Sequence, residues 1–188
     1  MKLICIGNSI VNGFPFERRY SFPSILDGYS GLTAVNKGIN GQSTDQILAR
    51  FEEDVVCSGD KCDVVLILTG ANDFMFEINS PAAAAENIVA MTELAQTAGI
   101  TPVAATPLMI EENMAKQLWM PEMHLDYPAA NNDLRELARI LKSRCQERDI
   151  KLIDTQMEYA GCGKYIDGVH PDEDGQRFLA EIIRNELK

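Results

Sequence analysis

Short apolar runs alternate along the chain with longer stretches whose apolar residues recur at helical spacing. The sequence Val64-Val65-Leu66-Ile67-Leu68 is apolar at every position, as is typical of a central parallel strand that is covered on both faces. Each run predicts a β-strand, and the five predicted strands are residues 2–6, 33–36, 63–69, 100–105 and 151–153.

Capping signals and helical periodicity place helices between these strands. Ser43-Thr44-Asp45-Gln46 has the form of a capping box at the start of one helix. Ser80 followed by Pro81 starts an alanine-rich helix that runs toward Ala98. Two further helices are predicted, one over residues 132–148 and one that starts at about Asp172.

The alternation of strands and helices predicts an α/β fold. We expect a three-layer sandwich in which a five-stranded parallel sheet carries helices on both faces. The 188 residues contain no repeat, linker or low-complexity segment, so a single domain over residues 1–188 is expected. Ligands bind beyond the carboxyl ends of the strands in such sheets, so the residues after each strand are the place to look for chemistry.

The charge balance narrows the class of partner. Lys and Arg number 17 against 28 Asp and Glu, which gives a net charge of −11 at pH 7. This charge repels nucleic-acid phosphates and anionic lipid headgroups, so neither is expected as a partner. No apolar run approaches the roughly 18 residues of a membrane span, so no membrane insertion is expected. The negative charge favours a neutral or cationic small molecule as the substrate.

The cysteines indicate the redox environment. The run Leu3-Ile4-Cys5-Ile6 is too short for the apolar core of a secretory signal, so a cytoplasmic location is expected. The five cysteines are odd in number and scattered, and we expect them to be reduced thiols. The spacing of Cys57 and Cys62 differs from that of a CxxC site, and neither a metal nor another cofactor is predicted.

Residues that can support catalysis follow four of the predicted segments along the chain. They supply one serine, one glycine, one asparagine and an Asp/His pair, all of which the fold would bring to one edge of the sheet. This set is sufficient for acyl transfer. The segments that carry these residues are Gly7-Asn8-Ser9, residues 36–43 with Gly41, Gly70-Ala71-Asn72-Asp73 and Asp167-Gly168-Val169-His170.

A nucleophilic serine needs a base that takes its proton. The chain has only two histidines, and His170 has the carboxylate of Asp167 three residues upstream in a turn that contains glycine. We therefore predict Ser9 as the nucleophile, His170 as the base and Asp167 as the group that orients it. His124 lacks such a partner and is interpreted as a loop residue.

An oxyanion needs hydrogen-bond donors that are held in place before the reaction. The backbone N–H groups of Ser9 and Gly41 and the side-chain amide of Asn72 are the candidates. Each of these residues also has a structural alternative, because Asn8 and Ser9 could only cap a helix and Gly41 could only turn the chain. The order of all four segments along one predicted edge favours the functional interpretation.

The four segments resemble the conserved blocks of the SGNH (GDSL-type) hydrolase superfamily of esterases and lipases. The resemblance implies a flavodoxin-like fold, a triad of Ser9, His170 and Asp167, and an oxyanion hole formed by Ser9, Gly41 and Asn72. It also implies a small-molecule ester as the substrate. The family usually has Asp at this position. Asn8 keeps the acceptor oxygen of an Asp side chain but lacks its negative charge. We interpret this change as tuning and count Asn8 among candidate substrate-binding residues.

The connection over residues 106–127 is unusually long and holds the only tryptophan, Trp119, with four of the eight methionines. Three roles remain open for it. Trp119, Met120 and Met123 could form a wall for an acyl chain, the segment could pack as a helix, or it could contact a second subunit in a homo-oligomer.

The predicted activity is hydrolysis of carboxylic esters with short to medium acyl chains through an acyl-enzyme. Two alternatives stay open. One is removal of O-acetyl groups from carbohydrates by the same chemistry, which a shallow polar cleft would favour. The other is a binding module that kept the fold and lost catalytic power, which the change at Asn8 makes conceivable.

Overall fold

The computed structural model describes residues 1–59 and 62–188. Its sheet has five strands in the order β2-β1-β3-β4-β5, and every neighbouring pair is parallel. Each predicted strand is present with bounds that differ by no more than two residues. The strands are β1 (Lys2–Gly7), β2 (Thr33–Gly38), β3 (Val64–Leu68), β4 (Thr101–Ala105) and β5 (Lys151–Ile153).

Helices connect the strands, and short 3-10 turns separate some of them. The α-helices of the described residues are α1 (Ser9–Asn12), α2 (Phe22–Asp27), α3 (Thr44–Phe51), α4 (Ala71–Met75), α5 (Pro81–Thr97), α6 (Glu112–Leu118), α7 (Tyr127–Glu147), α8 (Thr155–Tyr159) and α9 (Glu173–Glu186). A π-helical segment over Glu52–Val56 follows α3. None of these helices combines the length and the hydrophobicity that a membrane span requires.

Two apolar layers enclose the sheet, because side chains alternate between the faces of a strand. Ile4 and Ile6 of β1 point into one layer together with apolar residues of α3, α5 and α7. Leu3 and Cys5 point into the other layer with residues of α2 and α9. The predicted three-layer α/β sandwich is therefore confirmed.

The strand order places a crevice at the carboxyl end of β1. This strand lies between β2 and β3, and Gly7 is in register with Gly38 on one side and Leu68 on the other. From β1 the chain continues to β2 on one side of this strand and then crosses to β3 on its other side. Such a reversal opens the crevice in which ligands of doubly wound sheets bind. The segments after β1, β2 and β3 all reach this crevice.

The structure corrects the prediction for residues 106–148. The helix predicted to start at residue 132 begins at Tyr127, because the Asp126 side chain accepts the Ala129 N–H at 2.9 Å and Pro128 fits the first turn. The long connection that precedes it is partly ordered into α6 and a 3-10 turn over Pro121–Met123. Of the three open roles, helical packing thus applies to part of this segment.

Candidate active site

Ser9, His170 and Asp167 form one continuous chain of hydrogen bonds. Ser9 Oγ lies 2.9 Å from His170 Nε2, although 161 positions separate the two residues. His170 Nδ1 lies 2.8 Å from Asp167 Oδ2. His170 is only 1% exposed and Ser9 is 8% exposed, so the contact is shielded from bulk water. The side chain of Ser9 can pass its proton to Nε2 while Asp167 holds the proton on Nδ1.

The Asp167 carboxylate is held by its own turn as well as by the imidazole. Its Oδ1 accepts the backbone N–H of Val169 at 2.9 Å and that of His170 at 2.7 Å. Burial alone would raise the pKa of Asp167, but the hydrogen bonds from the imidazole and the two N–H groups, with the nearby charge of His170, keep it below its ordinary value. Asp167 is thus set up to stay ionised beside His170.

Helix α6 braces the turn that carries Asp167 and His170. The N–H of Glu111 donates to the carbonyl of Gly168 at 2.8 Å. A Cβ on Gly168 would lie 2.4 Å from the backbone N of Ala115, and the φ of this glycine is +88°. Only glycine combines that backbone conformation with so close an approach. Helical packing, one of the three roles left open for this segment, therefore supports the candidate base.

The turn that presents Ser9 is shaped by Asn8. The Asn8 side chain accepts the N–H of Ile10 at 3.3 Å and caps α1, and Asn8 itself is 2% exposed. The side chain of Gln176 links this turn to α2 and α9, since it donates to the carbonyl of Ile10 at 3.4 Å and accepts the N–H of Phe22 at 2.8 Å. Asn8 thus acts in the capping role that the sequence offered as an alternative.

Three groups near Ser9 can donate hydrogen bonds to an oxyanion. Within residues 1–59 and 62–188, neither the Ser9 N–H nor the Gly41 N–H meets a protein acceptor. The Asn72 side-chain amide donates one N–H to the carbonyl of Gln42 at 2.9 Å, which leaves its second N–H for a ligand. Gly41 has a φ of +78° and open space on its Cβ side, so a ligand can approach its backbone.

A cleft of ≈ 220 Å³ opens over these donors. Four apolar side chains form one part of its lining and four polar side chains the other, an arrangement typical of a ligand site in which a few polar groups fix the orientation of an apolar group. The lining consists of Phe14, Phe76, Trp119 and Met120 together with Ser9, Asn40, Gly41, Asn72 and His170.

Aromatic rings pack directly on the imidazole of His170. The ring centroid of Phe14 lies 4.8 Å from that of His170, and the centroid of Trp119 lies 4.6 Å from it. The backbone of Trp119 is anchored from α7, because Tyr127 Oη donates to the carbonyl of Trp119 at 2.6 Å. The rings restrict the imidazole to one orientation and narrow the cleft at the same time.

Not every residue singled out from the sequence lies in the cleft. Trp119 and Met120 line it, whereas Met123 is 51% exposed outside the lining and Asn8 is buried beneath the turn of Ser9. His124 is exposed after the 3-10 turn, as expected for a loop residue. Among the described residues, no group of three or more His, Cys, Asp or Glu side chains is arranged to hold a metal ion.

Sequence reasoning assigned no role to Asn40, although this residue lines the cleft beside Gly41. Its Oδ1 accepts a hydrogen bond from Asn12 Nδ2 at 2.8 Å, which ties the loop after β2 to the end of α1. Its position next to the glycine was the available signal. Phe14 and Phe76, which follow α1 and α4 along the chain, also line the cleft.

Known proteins similar to this chain are esterases. An acetylxylan esterase of Geobacillus stearothermophilus is 27% identical over 210 aligned residues, which cover 99% of this chain and 93% of that protein. An arylesterase of Vibrio mimicus is 26% identical over 192 residues, which cover 99% of this chain and 88% of the relative. Both similarities extend over nearly the full described fold.

Solved structures share the same architecture. A member of the lipolytic protein G-D-S-L family from Veillonella parvula superposes with a TM-score of 0.81 at 22% identity and covers 98% of this chain and 97% of its own. The aryl esterase of M. smegmatis gives a TM-score of 0.81 at 17% identity, with 99% of both chains covered. The sequence itself matches the GDSL-like lipase/acylhydrolase family over residues 5–178. The resemblance expected from the four strand-end segments is thereby confirmed, and the chain belongs to the GDSL-like lipase/acylhydrolase family of ester hydrolases.

Proposed function

We propose that this chain cleaves carboxylic esters through an acyl-enzyme formed on Ser9. The observation that carries the proposal is the pair of short contacts through His170, 2.9 Å from its Nε2 to Ser9 Oγ and 2.8 Å from its Nδ1 to Asp167 Oδ2. A serine hydroxyl becomes a useful nucleophile when an adjacent imidazole accepts its proton. The carboxylate then stabilises the imidazolium that forms.

The reaction proceeds in two half-reactions. Ser9 Oγ attacks the ester carbonyl carbon while His170 Nε2 takes the hydroxyl proton, and a tetrahedral oxyanion results. The intermediate collapses with cleavage of the bond to the leaving alkoxide, which receives the proton from His170 and departs as the alcohol. A water molecule then attacks the acyl-enzyme with His170 again as the base, and the carboxylic acid and free Ser9 are released.

The oxyanion is stabilised by the N–H groups of Ser9 and Gly41 and by the amide of Asn72. In the described part of the chain both backbone groups lack a protein acceptor, and Asn72 keeps one N–H beyond its bond to Gln42. Each preorganised donor is typically worth about 3–4 kcal/mol of barrier, because it acts where negative charge develops. The three donors belong to the turns after β1, β2 and β3, which the parallel register brings to one edge.

The cleft supports the proposed substrate class. A volume of ≈ 220 Å³ bounded by Phe14, Phe76, Trp119 and Met120 suits an ester with a short to medium acyl chain. Aromatic and thioether side chains contact such a chain without demanding hydrogen bonds from it. The relatives named acetylxylan esterase and arylesterase support an ester as the substrate.

Removal of O-acetyl groups from a carbohydrate is the second candidate. The relative from Geobacillus stearothermophilus, an acetylxylan esterase, favours it. An acetyl group is the smallest acyl group that the cleft would hold, while the sugar would lie as the leaving alcohol. Rates on p-nitrophenyl esters of increasing acyl length, compared with release of acetate from acetylated xylose, distinguish the two candidates.

Replacement of Ser9 by alanine tests the proposal. Ser9→Ala should reduce turnover of p-nitrophenyl acetate to less than a few per cent of wild type, while thermal unfolding stays close to that of wild type. Ser143→Ala, which alters an exposed helical serine, is the matched control and should keep full activity. A fluorophosphonate should label the wild type at Ser9 and leave Ser9→Ala unlabelled. Ser9→Ala with substantial turnover would refute the nucleophile, and an unlabelled wild type would favour a binding module.

A further inference from the structure

Asp73 carries a fully buried carboxylate outside the chain of hydrogen bonds at His170. It is 0% exposed, and three donor groups reach its carboxylate. The backbone N–H of Thr44 lies 3.1 Å from both carboxylate oxygens, and Thr44 Oγ1 donates to Oδ1 at 2.6 Å. Asn79 Nδ2 donates to the same oxygen at 2.7 Å. A buried carboxylate is costly unless hydrogen bonds of this kind compensate for lost water.

These contacts connect the two segments that hold oxyanion donors. Thr44 is the first residue of α3, three positions after Gly41. Asp73 directly follows Asn72 in α4. A second link runs in parallel, because the Asn72 amide donates to the carbonyl of Gln42 at 2.9 Å. Two short bridges thus join the glycine loop to the asparagine turn.

The relative placement of the donors matters more than their presence. The Gly41 N–H and the Asn72 amide belong to separate loops after β2 and β3. Both must aim at one developing oxyanion, and displacement of a positioning group by about 1 Å can lower a rate by about 100-fold. Rigid contacts between the two loops are therefore a requirement of the site.

We propose that Asp73 is a positioning residue that sets the distance between the Gly41 N–H and the Asn72 amide. The inference rests on the proposed function, since it assigns those two groups to the oxyanion. Asp73 itself lies outside the cleft lining and acts through its hold on Thr44.

The carboxylate, rather than an amide, is needed at this position. A carboxylate offers acceptors on both oxygens, whereas an asparagine offers one acceptor and one NH₂ donor. In Asp73→Asn the new NH₂ group faces another donor, either the N–H of Thr44 or the amide of Asn79. Two donors cannot hydrogen-bond to each other, so these two groups must move apart. The bridge between the two loops then loosens without any change in side-chain volume.

Asp73→Asn is the central variant. Hydrolysis of p-nitrophenyl acetate should show kcat lowered by about 10- to 100-fold while KM stays within about threefold, because donors to the oxyanion act in the transition state. Asp45→Asn is the matched control, since the exposed Asp45 carboxylate accepts from the same Asn79 at 2.8 Å but does not contact Thr44 N–H. Its kcat should stay within about threefold of wild type.

A double-mutant cycle separates positioning from general stability. Asp73→Asn is measured both in the wild-type background and in Asn72→Ala, which removes one of the two donors that the bridge aligns. Positioning predicts coupling, with the kcat loss from Asp73→Asn much smaller in the Asn72→Ala background. The same fold-loss in both backgrounds would refute the proposal, as would an unchanged kcat in Asp73→Asn.

A second pair of variants keeps the test valid if Asp73→Asn does not fold. Thr44→Val removes the hydroxyl donor to Asp73 and Thr44→Ser retains it, so only Thr44→Val should lower kcat at constant KM. Equal kcat values for the two variants would refute the proposal. The Ser9→Ala blank accompanies every measurement. Hydrolysis that persists in Ser9→Ala refutes the proposed function and the inference with it, whereas Ser9-dependent hydrolysis insensitive to Asp73→Asn and Thr44→Val refutes the inference alone.

Discussion

The indole of Trp119 lies edge-on to the imidazole of His170, with ring centroids 4.6 Å apart and planes at 72°. Phe14 contacts both rings, at 5.8 Å from Trp119 and 4.8 Å from His170. The candidate base is therefore enclosed by the same rings that bound the cleft. Trp119 therefore both contacts the imidazole and lines the cleft, and we propose that it limits the space available to the acyl group.

Trp119→Ala should shift the acyl-chain preference toward longer esters. Removal of the indole enlarges the cleft where the chain lies, and one methylene in an apolar pocket is worth about 1–3 kcal/mol, or about 10- to 200-fold. The ratio of kcat/KM for p-nitrophenyl hexanoate to that for the acetate should rise at least about tenfold. Trp119→Phe, which keeps an aromatic ring, should change the ratio much less.

Leu118→Ala is the control for Trp119, since Leu118 is the preceding residue and is 59% exposed. Its chain-length profile should match that of the wild type. If the chain-length profile of Trp119→Ala also matches that of the wild type, the acyl chain does not contact Trp119.

Asp167→Asn should alter the pH dependence of stability in a defined direction. The pKa of Asp167 in the folded state is below its ordinary value, because hydrogen bonds from His170 and two N–H groups outweigh burial. Its ionised form thus stabilises the fold fully above the unfolded pKa of about 3.9, and this contribution is lost as pH falls through the folded value. The difference in unfolding free energy between wild type and Asp167→Asn should be largest above about pH 5 and shrink toward pH 3.

Urea unfolding at several pH values between 3 and 7 measures this difference. Asp174→Asn is the control, because Asp174 is exposed and pairs with Arg177 at the surface. That variant should stay within about 0.5 kcal/mol of wild type. A constant difference for Asp167→Asn across the range would contradict the expected linkage.

Gly168→Ala should disturb the turn that carries Asp167 and His170. Its φ is +88°, and the new Cβ would lie 2.4 Å from the backbone N of Ala115 and 2.7 Å from the carbonyl of Glu111. We expect the free energy of unfolding to fall by about 2–4 kcal/mol and kcat to fall at least about tenfold, because the turn must move away from α6.

Gly163→Ala separates steric contact from backbone strain. Gly163 has a similar φ of +66° but open space on its Cβ side. Its substitution should cost only the strain of the left-handed region, about 1–2 kcal/mol, with kcat unchanged. If Gly168→Ala and Gly163→Ala lose the same free energy of unfolding in urea and the same kcat in ester hydrolysis, the contact between Gly168 and α6 is unimportant.

Periodicity predicted the strands well because it is a local property. The five runs read as strands became β1 to β5, and the capping-box sequence at Ser43 does precede α3, with the Ser43 N–H donating to Gln46 Oε1 at 3.1 Å. Apolar alternation and capping depend on residues within a few positions of one another. Such signals can therefore be recognised in a single sequence even when the residues that pack against them are unknown.

The segment over residues 106–127 was harder to predict for the opposite reason. Helix α6 spans only seven residues and has no side-chain cap, so its local signal is weak. It is held by contacts from elsewhere in the chain, such as the bond from Glu111 N–H to Gly168 and the anchoring of Trp119 by Tyr127. Short helices depend on tertiary packing because nucleation is unfavourable on its own.

The sequence by itself determined the α/β class, the strand positions, the family resemblance and the short list of residues able to support acyl transfer. Tertiary structure alone decided that Ser9 and His170 lie 2.9 Å apart, that Trp119 and Phe14 enclose the imidazole, and that Asp73 bridges two loops. The division has a physical cause. Helices, strands and caps arise from neighbours along the chain, whereas contacts across tens to hundreds of residues exist only once the packed sheet and its helices fix their separation.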